Sequence, residues 1–300
     1  MASSAISELT SAYKAWGRGK GASGEPFISL MAEDGTFRSI AGGAKEMMFT
    51  RTHSTQEKVR AYFKGLAEDW DMVFYNVRLF LVSGNTVAVV CECSWKQKHT
   101  GRIVHTPKLD IVRMKRGRIA DFFEFFDNHQ AISACTACGD GAAQKEPKPH
   151  YSDARAKVIS ESTPATKANL RTMKKLYAGW IGTKGGTAES VIAELAPKVS
   201  WGSLSAGAGP VAFTKMRKSR EEAAAYFREL AENITILEYK IDEYVAAGAF
   251  VLALGHGKFI YKPTGKTIET PKADLWRFSR GKITEFYEYY DTAAVMAAAS

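Results

Sequence analysis

No apolar run in the sequence approaches the roughly 18 residues that a membrane-spanning helix needs, so no transmembrane segment is expected. The N-terminal stretch lacks the combination of basic start, apolar core and small-residue cleavage site that marks a secretory leader. Cysteine is scarce: Cys91, Cys93, Cys135 and Cys138 are the whole set. These absences predict a cytoplasmic protein whose thiols stay reduced. Cys135 and Cys138 form a CxxC, but no second CxxC and no nearby histidine pair completes a zinc set. No histidine pair has helical metal spacing. Neither a metal nor a cofactor is expected.

What is present is a globular composition, 45% hydrophobic and 11% aromatic, in a chain long enough for two domains. The net charge of +9 raises the question of nucleic acid or an anionic surface. The basic residues are scattered, however. The densest run, Arg113 to Arg118, falls on a predicted hairpin turn, so nucleic acid ranks last among the partners considered.

The dominant feature is a repeat. Thr106-Pro107-Lys108-Leu109-Asp110, Arg116-Gly117-Arg118-Ile119 and Phe122-Phe123-Glu124-Phe125-Phe126-Asp127 return as Thr270-Pro271-Lys272-Ala273-Asp274, Arg280-Gly281-Lys282-Ile283 and Phe286-Tyr287-Glu288-Tyr289-Tyr290-Asp291. A constant offset of 164 positions aligns them, and it extends to Tyr13/Tyr177, Trp16/Trp180 and the Tyr-Phe pairs at 62–63 and 226–227. A period this long means a duplicated domain, not a solenoid. The expected division is a first copy at 1–136, a linker at 137–165 that is broken by a short helix near 154–159, and a second copy at 166–300.

Within a copy the pattern is helix, helix, strand, helix, then a run of antiparallel strands. Ile6, Leu9, Tyr13 and Trp16 recur at helical spacing. A second short helix is expected over 27–31, and Ser54 with Glu57 offers a capping box for a third. Strands are expected over 70–81 and 87–95, followed by two more joined by the basic-Gly-basic turn. This is an α+β architecture with helices on one face of a curved sheet.

With these elements in place, each half resembles the SnoaL-like branch of the nuclear-transport-factor-two-like superfamily, related to ketosteroid isomerase and limonene epoxide hydrolase. The carrying features are the N-terminal helix with its aromatic pair, the basic-Gly-basic-Ile hairpin and the Phe/Tyr-rich last strand ending in Asp. The resemblance implies cone-shaped domains, each a curved antiparallel sheet wrapped around helices with a pocket inside. It also implies that the tandem forms a covalent pseudo-dimer, because single-domain members often dimerise through their sheets.

Lys108 and Asp110 share a strand face, as do Lys272 and Asp274. A basic residue two before an Asp, with a second Asp at the end of the last strand, is similar to the Arg-x-Asp and Asp set of limonene epoxide hydrolase. By that resemblance Asp127 or Asp291 is the base, Asp110 or Asp274 the acid, and Lys108 or Lys272 tunes the acid. Lysine in place of arginine loses the bidentate fork. The same residues have a structural reading: Asp127 and Asp291 are natural N-caps for the last helix of each copy, and the Lys–Asp pairs could be ion pairs. Glu124 and Glu288 are expected on the outer face, paired with Arg113 and Arg277. Tyr13, Trp16, Tyr177, Trp180, Trp201, Trp276 and Tyr289 are the expected pocket lining, with His105 as a candidate base in one copy. Two functions fit. One is an enzyme using Asp acid–base chemistry on a small apolar organic molecule, by epoxide hydrolysis, isomerisation, or dehydration or cyclisation. The other is a non-catalytic ligand-binding or scaffolding pseudo-dimer.

Overall fold

A computed structural model of the chain describes residues 3–136, 145–151 and 156–300. It divides into two compact units, Met1–Ile159 and Ser160–Ser300. In the first, α1 (Ser3–Arg18) and α2 (Glu25–Ile28) precede β1 (Met31–Ser39), and α3 (Gln56–Asp69) precedes β2 (Trp70–Ser83), β3 (Thr86–Gln97), β4 (Ile103–Lys115) and β5 (Arg118–Phe125). A last helix, α4 (Asn128–Thr136), and a short strand, β6 (Lys157–Ile159), complete the unit. The sheet order is β1-β5-β4-β3-β2-β6, with the central strands antiparallel and both edge strands parallel to their neighbours.

The second unit repeats this plan. It runs α5 (Pro164–Gly182), α6 (Ala188–Glu194), β7 (Leu195–Ser203), β8 (Arg217–Ser219), α7 (Arg220–Asn233), β9 (Ile234–Ala247), β10 (Phe250–Tyr261), β11 (Lys266–Ser279), β12 (Lys282–Tyr290) and α8 (Thr292–Ala299). Its sheet order is β8-β7-β12-β11-β10-β9. No helix among the described residues is long and apolar enough to cross a membrane.

Three local expectations are corrected. The second helix ends at Ile28, and Met31 already belongs to β1. The cap of α3 is Thr55, whose side chain accepts from Lys58 N at 3.2 Å, one residue after Ser54; in the second copy Ser219 occupies the matching place and accepts from Glu222 N. The linker helix is absent where it can be seen: residues 157–159 pair with β2 as a parallel strand, while Ala154 and Arg155, like Cys138 of the CxxC, lie outside the described residues.

The helices pack against one face of each sheet. In the first unit Leu9, Tyr13 and Trp16 of α1 and Val59, Tyr62 and Phe63 of α3 join Val77, Val89 and Val112 of the sheet in one core. The basic-Gly-basic segments form two-residue hairpin loops, with positive φ at both central residues (Arg116 52°, Gly117 79°; Arg280 51°, Gly281 74°). That is the type I′ geometry that matches strand twist, and glycine takes it without strain.

The register of these hairpins matters for the site. Lys115 pairs with Arg118 and Met114 with Ile119, but Arg113 pairs with Asp121, so Ala120 is skipped. The second copy skips Thr284 in the same way. One extra residue on the last strand moves every later side chain to the other face.

Candidate functional site

Because of that bulge, Asp110 faces Glu124 and Asp274 faces Glu288 across the strand pair. Glu124 and Glu288 therefore point into their domains and are buried, which corrects their expected outward placement. The arginines expected to hold them pair elsewhere, Arg113 with Asp121 at 2.9 Å and Arg277 near Glu285 at 3.9 Å.

In the first domain Lys108 Nζ donates to Asp110 Oδ1 and lies 2.7 Å from Glu124 Oε2. Tyr13 from α1 and Tyr75 from β2 both donate to Asp110 Oδ2 at 2.8 Å, and Tyr62 from α3 donates to Glu124 Oε1 at 2.8 Å. All four carboxylate oxygens thus have partners. The Lys108 ammonium also stands over the rings of Tyr75 and Phe122, 5.8 Å from each centroid.

The second domain carries the same residues with a different distribution of bonds. Tyr177 and Tyr239 donate to Asp274 Oδ2 at 2.7 and 2.5 Å, and Tyr226 donates to Glu288 Oε1 at 3.1 Å. Lys272 Nζ is 2.5 Å from Glu288 Oε2 but 3.4 Å from Asp274 Oδ1, a contact without hydrogen-bond geometry. Asp274 Oδ1 is buried with no hydrogen-bond partner. Trp201 Nε1 is a buried donor in the same condition, as is Trp70 Nε1 in the first domain.

Each cluster sits in the wall of a mostly apolar cavity. The first, about 80 Å³, is lined by Tyr13, Trp16, Phe37, Trp95, Phe122 and the Lys108–Asp110–Glu124 set, among others. The second, about 140 Å³, has Tyr177, Trp180, Trp201, Trp276 and Phe286 around Lys272, Asp274 and Glu288. One water needs roughly 10–15 Å³ on this kind of measure, so the second cavity has room for a small organic molecule. Its extra polar groups come from substitutions between copies. Tyr290 replaces Phe126 and exchanges hydrogen bonds with Ser203 (2.6 Å) and Ser205 (2.8 Å). Trp276 replaces Val112 and donates to Tyr177 OH at 2.9 Å.

The electrostatics follow from burial. Desolvation, the neighbouring carboxylates and direct hydrogen bonds push the hydroxyl pKa values of Tyr13, Tyr62, Tyr177, Tyr226 and Tyr239 well above that of free tyrosine, so they stay donors. Burial and the Glu124 charge raise Asp110 despite the opposing pull of Lys108. Burial works against the Lys108 and Lys272 ammonium groups, but their paired carboxylates outweigh it and hold both above a free lysine.

The remaining candidates lie elsewhere. Asp127 and Asp291 are helix caps, accepting from Gln130 N at 3.0 Å and Ala294 N at 2.9 Å, and neither lines either of these two cavities. Both lie just past the ends of β5 and β12, where the chain turns into the last helix. Tyr289 is turned outward by strand alternation, its ring 5.0 Å from that of Tyr287, and Tyr290 lines the cavity in its place. His105 alternates with the inward Val104 and Thr106 and meets Glu92 on the other face. Glu124, Glu288, Tyr62, Tyr75, Tyr226 and Tyr239 are the site residues that sequence reasoning missed. Each recurs at the 164-residue offset.

The SnoaL-like domain pattern matches residues 9–122 and again 175–286. The chain belongs to the SnoaL-like domain family. No curated protein matched it. Among solved structures, an NTF2-like protein from Burkholderia xenovorans LB400 is 25% identical, with 45% of this chain and 97% of that one covered at a TM-score of 0.39. A protein with a ketosteroid isomerase-like fold from Catenulispora acidiphila DSM 44928, in complex with trimethylamine, is 18% identical over 46% and 94% at 0.35. An LEH-like epoxide hydrolase from M. tuberculosis is 18% identical over 45% and 91%, also at 0.35. The two SnoaL-like domains here keep the same buried Lys, Asp, Glu and three tyrosines, and differ in how well those groups satisfy one another.

Proposed function

We propose that the second domain is an acid–base catalyst acting on a small, mostly apolar organic molecule that carries one polar group. The observation behind this reading is the buried Asp274 Oδ1, which accepts no hydrogen bond and has only the Lys272 ammonium 3.4 Å away, in the wall of an apolar cavity. A buried acceptor without a donor costs about 1–3 kcal/mol, and a ligand hydroxyl or a water would relieve that cost. Asp274 is then the base that takes a proton from the substrate or from an attacking water. Lys272, held between Asp274 and Glu288, stabilises the carboxylates before transfer and the developing negative charge after it. Tyr177 and Tyr239 orient Asp274 through its other oxygen. The protein supplies proton transfers only: in epoxide opening the water oxygen bonds to carbon as the ring C–O bond breaks, and the alkoxide takes back the proton that Asp274 removed from the water. The same shuttle suits isomerisation next to a carbonyl, or dehydration or cyclisation.

For the first domain a binding role without turnover is the better reading, because both oxygens of Asp110 and Glu124 Oε1 already accept hydrogen bonds and Glu124 Oε2 lies 2.7 Å from the Lys108 ammonium. The test is turnover by the purified full chain of styrene oxide, limonene oxide and a β,γ-unsaturated cyclic ketone, with Asp274→Asn and Asp110→Asn in parallel. Activity that is lost only with Asp274→Asn supports the assignment. Activity untouched by Asp274→Asn overturns it.

A further inference from the structure

The outer face of the first domain's sheet holds a second cluster of titratable groups. Glu92 on β3 pairs with Pro107 of β4, and Ser94 pairs with His105. Glu92 and His105 are therefore diagonal neighbours on the face away from the cavity. Residues 145–151 bring His150 to the same place. His150 Nδ1 lies 2.7 Å from Glu92 Oε2, and His105 Nε2 lies 3.3 Å from that oxygen. The two imidazoles stack, with centroids 5.2 Å apart and planes at 25°. One ligand atom from each of the three residues lies within 4.8 Å of the other two.

The setting resembles a prepared coordination sphere more than a surface ion pair. The Glu92 side chain is only 4% exposed, whereas that of His150 is 77% exposed, so the cluster opens to solvent on one side. Glu92 Oε1 is fixed separately by the backbone N–H groups of His150 (2.6 Å) and Tyr151 (3.2 Å). Outer bonds of this kind orient a ligating carboxylate. Two imidazole nitrogens and one carboxylate oxygen are a donor set for zinc and its first-row neighbours. Bonds of about 2.0–2.2 Å in a tetrahedral sphere put ligand atoms a little over 3 Å apart. The 3.3 Å separation already fits, the 2.7 Å one must open by less than 1 Å, and the two imidazole nitrogens, within 4.8 Å of each other, must close by at most about 1.5 Å.

We propose that Glu92, His105 and His150 bind one divalent transition-metal ion, zinc by preference, which clips segment 145–151 to the outer face of the first domain's sheet. The sequence concealed this site because its ligands come from three separate stretches, none with a recognisable spacing. The second domain has no counterpart. At the 164-residue offset Glu92 and His105 become His256 and Glu269, which pair with Asp242 (2.9 Å) and Lys258 (2.5 Å). One ion per chain is therefore expected. The exposed fourth position would hold water.

The test uses the full chain stripped of metal and titrated with Co²⁺, read by its visible ligand-field bands and then displaced with Zn²⁺. The expected result is one equivalent of Co²⁺ per chain, displaced by Zn²⁺, with affinity falling roughly 10–100-fold or more in His150→Ala and His105→Ala. His150 is exposed enough that its replacement leaves the fold intact, and metal-free melting curves verify this. No saturable Co²⁺ or Zn²⁺ binding at micromolar concentration overturns the proposal. So does binding that survives both histidine variants or disappears in Cys135→Ser.

Discussion

Asp274 and Glu288 face each other across β11 and β12, and Lys272 Nζ leans to the glutamate, 2.5 Å from its Oε2 against 3.4 Å from Asp274 Oδ1. In the first domain Lys108 bonds both carboxylates. The same three residues therefore make a closed cluster in one copy and one with a spare acceptor in the other. Asp274→Asn should lower turnover by about 10²–10⁴-fold, the usual weight of a positioned acid–base group. Its melting temperature should stay within a few degrees of the parent. Steady-state kinetics and calorimetry on the same preparation check both halves, and a large loss of melting temperature with proportionate loss of activity would mark Asp274 as structural.

Lys272 is the only positive group bonded to this pair among the described residues. Replacing it with methionine keeps the volume and leaves two buried carboxylates facing each other. Breaking a buried pair by removing one partner costs about 3–5 kcal/mol. Lys272→Met should therefore destabilise the second domain by that order in denaturant, and adding Glu288→Gln, which removes one of the facing charges, should recover part of the loss. No recovery in the double variant would refute the charge-based account.

The architecture was legible because the chain contains its own second copy: a 164-residue offset fixes which residues a domain keeps, and the alternation of the strands does the rest. The site was legible only in part. Strand parity put Lys108 with Asp110 and Lys272 with Asp274 on one face, and the family resemblance made them candidates. Glu124 and Glu288 could not be placed this way, since their face depends on the bulges at Ala120 and Thr284. Treating Asp127 as inward put Glu124 outside, when the inward neighbour is Phe126. The tyrosines come from two helices and a strand, and no local pattern announces that two of them meet the aspartate and the third the glutamate.

Asp110 gives a pH test. Burial and Glu124 raise its pKa in the folded chain, although Lys108 pulls the other way. The folded state thus holds this proton more tightly than the unfolded one. The group's contribution to stability is complete below the ordinary aspartate pKa of about 3.9 and is lost as pH rises through the folded value. Carbon-detected NMR titration of the Asp110 carboxyl should give a midpoint above that of free aspartate, moving higher still in Lys108→Met. A midpoint at or below the ordinary value contradicts the argument.

Asp291 accepts from Ala294 N at the start of α8 and does not line the second domain's cavity. Its replacement by alanine removes a cap, worth about 1 kcal/mol. Asp291→Ala should show that loss in urea denaturation and an unchanged kcat on any substrate the second domain turns over. A collapse of kcat with stability preserved would restore the catalytic role that the resemblance to epoxide hydrolases implies for this residue.

Gly255 marks a difference between the two copies beside the site tyrosine of β9. It occupies the position of Cys91, whose Sγ lies 3.2 Å from Tyr75 OH; the second copy has no side chain there, and Tyr239 loses that neighbour. Both copies carry a bulge at this point, between Val77 and Leu79 in one and beside Gly255 in the other. In the second copy the neighbouring backbone comes closer: a Cβ built on Gly255 would lie 1.9 Å from Lys240 O. Real Cβ atoms do not approach a carbonyl oxygen so closely, so β9 must shift to admit one. Gly255→Ala should therefore cost at least the upper end of the about 1–3 kcal/mol that overpacking usually takes, and the retreat of β9 should displace Tyr239 from Asp274. Denaturant unfolding measures the first effect, and ligand affinity or turnover in the second domain measures the other. A loss below about 0.5 kcal/mol, the scale of ordinary surface substitutions, would show that β9 yields as readily as β2 has done around Cys91.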